Sequence, residues 1–204
     1  MSPRVSAQHK QQRRQAILDA ALDVFIGKGY QVATIDDIAT RAGLSVGAIY
    51  RYFRNKSEIM VSLVAERLGR TPEIFARLTQ SSGDPWERLD KCIDLFARSL
   101  RVRHPVTTRL LLVALSEAVQ DGEVRQGLHR RFQGLVDYLA GVIRDGIAQG
   151  AFRPDADPVA LACLLLCTAD GVAVSWVIDA PEIDLGAMRT CFRNMVRAYL
   201  MNRE

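Results

Sequence analysis

The chain has 204 residues, 49% of them hydrophobic and 25% charged, which excludes a chain too polar to form a core. It is longer than a usual single domain, so we expect a small module joined to a second body. Residues 1–60 hold nine Lys and Arg against five Asp and Glu, whereas residues 61–204 hold 18 of each. This distribution favours a polyanionic partner at the N-terminal end alone.

The residues from Met1 to Gln12 are polar and show no apolar period, which predicts a tail that is disordered when free. Such a tail either lies along a nucleic acid or only improves solubility. An apolar stripe then predicts a first helix that runs to about Lys28. The residues of this stripe are Ile17, Leu18, Ala21, Leu22 and Phe25.

Two short helices joined by a tight turn are predicted from Thr34 onward. Thr34 fits the N-cap of the first helix, and Asp37 completes a capping box. Gly43 suits the left-handed residue that ends this helix, and Ser45 suits the N-cap of the second. The inward positions are Ile35, Ile38, Ala39 and Ala42, followed by Ile49 and Phe53.

A third helix is predicted to begin after Asn55, its N-cap, with Glu58 completing a second capping box. Lys56 lies at the positive end of this helix, so we expect an anion site there. The same helix keeps its apolar period through Leu68 and is the predicted connector to the second body.

A helical hairpin with glycine in its turn is typical of the helix-turn-helix, whose second helix presents its first residues to the major groove of DNA. The alternative is a hairpin that serves only packing, with its arginines on a solvated face. The first residues of the second helix are small, and the next carry hydroxyl and guanidinium groups suited to phosphates: Val46, Gly47 and Ala48, then Tyr50, Arg51, Tyr52 and Arg54.

The stretch from Thr34 to Glu58 resembles the DNA-binding signature of TetR-type (tetracycline-repressor-like) transcriptional regulators. The matching elements are Thr34-Ile35, Ile38-Ala39, Ala42 to Ser45, Gly47, Ile49-Tyr50, Tyr52-Phe53 and Asn55-Lys56. The resemblance implies that phosphates are held by Thr34, Ser45, Tyr50, Tyr52 and Lys56. It also implies that the residues near base edges are Val46, Gly47 and Ala48, with Arg41 or Arg51.

The residues from Val159 to Ile178 are almost wholly apolar and numerous enough to cross a membrane. Asp170 argues against a membrane span, because a carboxylate near the middle costs roughly 2.5 to 3.5 kcal/mol on insertion scales. We therefore expect a helix buried on all sides inside a protein. The last helix carries a narrow apolar stripe suited to another helix: Leu185, Met188, Phe192, Met195 and Tyr199.

Two apolar C-terminal helices are what a two-fold interface needs, and two reading helices related by symmetry recognise a palindrome. The TetR-type resemblance implies the same homodimer, with a four-helix interface and a small-molecule pocket among the middle helices. Asp170 needs a partner, which is a ligand group, an arginine such as Arg109 or Arg144, or a group across an interface. The candidate ligand-binding residues are Phe96, Leu111, Glu117, Tyr138, Asp170 and Trp176.

Four cysteines lie in apolar contexts, and no signal peptide or transit segment precedes the first helix, so we expect reduced thiols in the cytoplasm. Two of them are four residues apart, but no histidine lies in that region. We therefore expect buried thiols and no metal site. The four residues are Cys92, Cys163, Cys167 and Cys191.

No strand pattern occurs, so the predicted fold is all-α. A helix-turn-helix domain with its tail (residues 1–55) precedes a connector helix and a helical ligand-binding and dimerisation domain (residues 56–204). The predicted function is a cytoplasmic DNA-binding regulator, a repressor that a small molecule releases from a palindromic operator, with no catalytic residues, cofactor or metal. The alternatives are an all-helical enzyme or binding protein, although no P-loop or nucleophile motif occurs, and a DNA-binding dimer without ligand.

Overall fold

The computed structural model describes residues 7–68, 76–77, 83–102, 105–179 and 184–201. Across these ranges the regular structure is helical and contains no strand, so the predicted all-α fold is confirmed. The chain divides into two compact units. Unit 1 comprises Met1–Leu68 and Arg109–His129, and unit 2 comprises Gly69–Thr108 and Arg130–Glu204. The predicted functional division after residue 55 stays a prediction.

Unit 1 begins with four helices, and the fourth continues as a π-helix. They are α1 (Ala7–Lys28), α2 (Ile35–Ala42), α3 (Val46–Ile49) and α4 (Lys56–Leu63), followed by the π-helix Val64–Leu68. Helix α1 starts inside the segment predicted to be a disordered tail, which corrects that prediction for residues 7–12. Gln, Lys and Arg are good helix formers, so this part of α1 is helical without an apolar stripe.

The core of unit 1 joins the first helix to the hairpin and to α4. Phe25, Ile38, Ile49 and Ile59 are all 0% exposed. Two later helices also contribute to this unit, α6 (Pro105–Ala118) and α7 (Gly122–Ala148), through the buried residues Leu110, Ala114 and Val124. The three N-terminal helices alone bury little, so later parts of the chain complete their core.

Unit 2 is built from α5 (Pro85–Val102), the second part of α7, α8 (Pro158–Asp179) and α9 (Leu185–Met201). At Gly146 of α7, the ring of Phe152 occupies the space that a Cβ would need, so only glycine fits. A Cβ built there would lie 2.1 Å from Phe152 Cδ2. Gly150 ends the helix in the left-handed conformation (φ 68°) and turns the chain so that this ring enters the core.

The environment of α8 differs from the prediction. The window Pro158–Ser175 is long and apolar enough to cross a membrane, but only 22% of it is buried. Leu164 is 64% exposed and Val159 51% exposed, so the prediction of burial on all sides is wrong for a single protomer. Hydropathy shows that a helix avoids water, but it does not show which chain covers the helix.

The cysteines differ from the prediction as well. Cys92 is buried and Cys163 partly buried, whereas Cys167 of α8 and Cys191 of α9 are exposed. The two exposed thiols lie on the same pair of helices as the uncovered apolar side chains.

Candidate nucleic-acid interface and ligand cavity

The helical hairpin is fixed by the predicted caps. The Thr34 hydroxyl accepts from the Asp37 amide, and the Asp37 carboxylate accepts from the Thr34 amide, both at 3.1 Å. A hydrogen bond from Lys28, followed by those from Thr34, lowers the pKa of Asp37. Gly43 ends α2 with φ 65°, and Ser45 caps α3 by accepting from the Ala48 amide at 3.3 Å. The turn therefore holds the start of α3 in one position.

The beginning of α3 presents small groups to solvent. Ser45, Gly47 and Arg51 are exposed, and Tyr50 is 54% exposed. Val46 and Ala48 are half-buried, and Val46 packs on the core of unit 1 together with Tyr52. The predicted DNA-contacting residues thus divide into an exposed group and a group at the edge of the core.

Arg41 already has an acidic partner in the structure. Its Nη2 lies 2.5 Å from Asp23 Oδ2, with Nε at 3.0 Å from the same oxygen. Both side chains are more than half exposed, at 61% and 54%. Solvent screens such a pair, so a DNA phosphate or base can replace Asp23 at small cost.

Lys56 makes a contact different from the expected one with phosphate. Its ammonium donates to the carbonyl oxygens of Tyr30 (2.6 Å), Gln31 (3.3 Å) and Ala33 (2.9 Å). These bonds use its three donor positions, and burial lowers the pKa of Lys56. The ammonium therefore ties the loop before Thr34 to the start of α4. The partners lie more than 20 residues upstream, and no local pattern identifies them.

The start of α4 is capped by Asn55 as predicted, but Glu58 binds the amide of Arg54 instead of completing a capping box with Asn55. The Asn55 side-chain oxygen Oδ1 accepts from the Glu58 amide at 2.7 Å. Glu58 in turn accepts from the Arg54 amide, and this hydrogen bond lowers the pKa of Glu58. Ser57 donates to Asp121, and Asp121 also accepts from the first amides of α7. Asp121 therefore caps α7 and binds α4, a role that the sequence analysis missed.

Two predicted ligand-binding residues have structural contacts in unit 1. Glu117 is buried and accepts from the Gln31 side chain. Leu111 is 5% exposed and belongs to the core of the same unit. Neither lines the cavity described next, and their predicted role in ligand binding stays a prediction. Apolar periodicity identifies inward positions but does not distinguish a filled core from a cavity.

Unit 2 contains a cavity of about 90 Å³ between α5, α7, α8 and α9. The lining includes the predicted ligand-binding residue Phe96. It also includes three residues predicted for the dimer interface. The lining residues are Leu89, Cys92, Ile93, Phe96, Ala97, Leu139, Leu165, Thr168, Ala169, Val172, Leu185, Met188, Arg189 and Phe192.

The remaining ligand candidates do not appear among the lining residues. Tyr138 is half-buried and hydrogen-bonded to the Cys92 thiol. Asp170 lies 3.8 Å from the buried guanidinium of Arg131. The acid in the apolar helix thus pairs with an arginine, but not with either of the two suggested by the sequence. The side chain of Trp176 lies outside the described residues.

Helix α9 has an inner and an outer face. Leu185 is 5% exposed and Phe192 packs on the core of unit 2. Met188, Met195 and Tyr199 are 41%, 64% and 43% exposed. The structure thus places Leu185 and Phe192 inward and Met195 and Tyr199 outward, while Met188 lines the cavity and is also partly exposed.

Two family models match these regions of the chain. Residues 17–63, which contain the hairpin, match the model described as bacterial regulatory proteins, tetR family. Residues 85–201 match the model described as BetI-type transcriptional repressor, C-terminal. The chain belongs to the TetR family. The resemblance seen in the hairpin is therefore confirmed over most of the sequence.

Several TetR-family relatives match nearly the whole chain. The fatty acid metabolism regulator protein of Bacillus subtilis strain 168 is 27% identical, covering 95% of this chain and 98% of its own length. The regulator BetI of Rhizobium meliloti is 26% identical, covering 92% and 89%. The Bacillus subtilis FadR structure in complex with stearoyl-CoA has a TM-score of 0.76 and 25% identity, covering 89% of this chain and 96% of that one.

The TetR family establishes the general activity. Its members bind operator DNA and function as dimers, and the relatives are transcriptional regulators rather than enzymes. Regulators of this family are in general soluble cytoplasmic proteins, and one apolar helix does not indicate a membrane protein. This TetR-family protein is a DNA-binding transcriptional repressor.

Proposed function

We propose that a dimer of this protein reads a palindromic operator with the first residues of α3. The observation that carries the proposal is the doubly capped hairpin that leaves Ser45, Gly47 and Tyr50 exposed at the start of a helix. Small residues there allow the backbone to approach base edges closely. Half-sites of such dimers lie one helical turn of DNA, or a multiple of it, apart.

The DNA contacts divide into two groups. Phosphates are held by exposed hydroxyl groups and by the tyrosines, namely Thr34, Ser45, Tyr50 and Tyr52. Base edges are approached by Val46, Gly47 and Ala48, with Arg41 and Arg51 supplying guanidinium groups. Lys56 acts through the loop before Thr34, because its ammonium is used by carbonyl groups.

The dimer forms through the outer faces of α8 and α9. Exposed apolar side chains on both helices support this assignment, and a partner removes them from water. Both helices lie in unit 2, whereas the residues proposed to contact DNA lie in unit 1. The side chains are Val159, Leu164, Met188, Met195 and Tyr199.

The effector is a small molecule with an apolar body that occupies the cavity of unit 2. The apolar lining supports this proposal, as does the relative whose structure holds stearoyl-CoA. A bound effector favours one of two arrangements of the helices that lead to unit 1. The coupling free energy between effector binding and DNA binding is typically ~1 to 3 kcal/mol. The connector α4 takes part, since its apolar residues Ile59 and Leu63 are fully buried in unit 1. The protein acts in the cytoplasm and catalyses no reaction.

Selection of bound sequences from a random duplex pool tests the proposal. We expect the wild type to recover a palindrome and Tyr50→Ala and Arg51→Ala to lose or weaken it. Arg125→Ala is the matched control, because Arg125 is an exposed arginine of unit 1 outside the proposed contacts. Recovery of no motif by the wild type, or of the same motif with equal affinity by all variants, contradicts the proposed interface.

A further inference from the structure

Among the described residues, two ion pairs join α5 to α9. Arg189 Nε lies 2.5 Å from Asp94 Oδ1, and Arg193 Nε lies 2.5 Å from Asp90 Oδ1. Within each helix the two partners are four residues apart, so the pairs are one helical turn apart. They are chemically alike and similarly exposed, with the arginine side chains at 39% and 36%.

Only the first of these pairs reaches the cavity. Arg189 lines it, and among the described lining residues no other side chain carries a charge. The Thr168 hydroxyl donates to the Leu164 carbonyl of its own helix at 2.8 Å. Burial raises the pKa of Cys92 to about 12, so its thiol is neutral. The cavity therefore has an apolar wall with one cationic group at its edge.

We propose that Arg189 exchanges Asp94 for the carboxylate of an effector whose hydrocarbon chain fills the cavity. The inference rests on the proposed function, because it takes this cavity to be the effector site. It adds the chemical class of the ligand, a monocarboxylic acid, and names the residue that selects the acid over a neutral molecule of the same shape.

The exchange leaves neither carboxylate without a cation. Asp94 also lies 3.9 Å from Arg98, which remains beside it when Arg189 turns to the ligand. The pair that is broken is partly exposed and therefore weak. The pair that is formed lies against apolar side chains, where a charge-assisted hydrogen bond is stronger than in water. The free energy gained by the new pair therefore exceeds that lost with the old pair, which favours binding of the acid.

The size of the cavity limits how much of the acid it encloses. A water molecule takes about 30 Å³ in the liquid and a cavity of about 150 Å³ holds one benzene molecule, so a cavity of about 90 Å³ encloses roughly three or four carbons. These are the last carbons of the effector's chain. In an eight-carbon acid the remaining carbons lie between them and Arg189 at the edge of the cavity.

The exchange also changes how α5 is held. A bound acid removes one of the two ionic links between α5 and α9, while the pair between Arg193 and Asp90 keeps the helices together. A neutral ligand of the same shape fills the cavity but leaves both links in place. The acid and the neutral molecule therefore differ in their effect on α5 as well as in affinity.

Calorimetric titration of the full-length protein with octanoate and with 1-octanol tests the proposal. We expect octanoate to bind the wild type about tenfold or more tightly than 1-octanol, as expected for one hydrogen bond to a charged group. Arg189→Gln should bind the two probes with equal affinity. The matched control Arg193→Gln lies outside the cavity and should keep the preference.

A second variant tests the exchange itself. Asp94→Asn removes the competing carboxylate, so octanoate should bind more tightly and 1-octanol as before. Equal binding of the two probes by the wild type, a preference kept by Arg189→Gln, unchanged octanoate affinity in Asp94→Asn, or binding of neither probe each overturns the proposal. Operator binding, measured by gel shift on the same proteins without probe, tests the proposed function separately.

Discussion

Packing allows only glycine at position 146. The ring of Phe152 is 2% exposed and lies within 2.1 to 2.9 Å of the place where a Cβ would stand. The ring is enclosed by the core of unit 2 and cannot move aside. This glycine is therefore required by packing, although it lies inside a helix, where glycine is unfavourable.

We expect Gly146→Ala to lower the free energy of unfolding by about 2 kcal/mol or more, because overpacking forces the ring or the helix to shift. Urea denaturation measures the change. Gly141→Ala in the same helix is the control, since nothing lies within 4 Å of its built Cβ. It should be neutral or stabilising by up to about 1 kcal/mol. Equal destabilisation by both variants would refute the role of Phe152.

Lys56 allows a structural role to be distinguished from a DNA contact. A lysine that binds phosphate contributes about 0.9 to the slope of log affinity against log salt concentration. We expect Lys56→Gln to lower operator affinity and leave this slope unchanged, because the ammonium binds the loop carbonyls. Arg51→Ala removes a guanidinium that the proposed interface places on the DNA, so it should lower the slope. A reduced slope for Lys56→Gln would restore the expected phosphate contact.

At the scale of helices and turns, the sequence predicted what local chemistry determines. The caps at Thr34, Ser45 and Asn55 are confirmed, because capping depends on residues within four positions. The start of α1 was missed, since polar helix formers give no apolar period. The link between Ser57 and Asp121 was also missed, because its partners lie 64 residues apart in sequence.

Asp121 joins two helices through one carboxylate, and its ionisation should stabilise unit 1. Burial alone would raise the pKa of Asp121, but hydrogen bonds from Ser57 and the α7 amides lower it overall. A lowered pKa stabilises the fold above the unfolded carboxylate's pKa of about 3.9, and this contribution is lost as pH falls through the folded pKa.

We expect Asp121→Ala to lower the free energy of unfolding by about 1 to 2 kcal/mol at neutral pH, as for loss of a helix cap. Asp121→Asn keeps a capping group and loses the charge. The difference between its free energy of unfolding and that of the wild type should therefore shrink as the pH falls below about 4. Chemical denaturation between pH 3 and pH 7 measures both. A difference independent of pH would show that the charge contributes nothing.

At the scale of the whole molecule, the sequence identified the apolar helices but not what covers them. Helix α8 lacks a polar face, and this pattern is typical of a core helix, a membrane helix and an interface helix alike. Of the six predicted ligand-binding residues, Phe96 lines the cavity. A cavity depends on the volume left between four helices, and no sequence pattern reports that volume.

We expect Leu164→Glu to weaken the dimer and lower operator affinity, because it puts a charge on the proposed interface. Light scattering after gel filtration measures the mass, and circular dichroism checks that the helices remain. Leu115→Glu is the control, since Leu115 is 46% exposed and lies in unit 1. A variant at Leu164 that stays dimeric and binds DNA normally would exclude this face of α8 from the interface.

The exposed apolar face of α8 also has a consequence for gene dosage. A protomer that must pair before it can read both half-sites occupies its operator in proportion to the square of its concentration when dimers are scarce. Halving its synthesis then lowers operator occupancy about fourfold rather than twofold. The promoter under its control would therefore respond to a small fall in repressor concentration more sharply than one governed by a monomer.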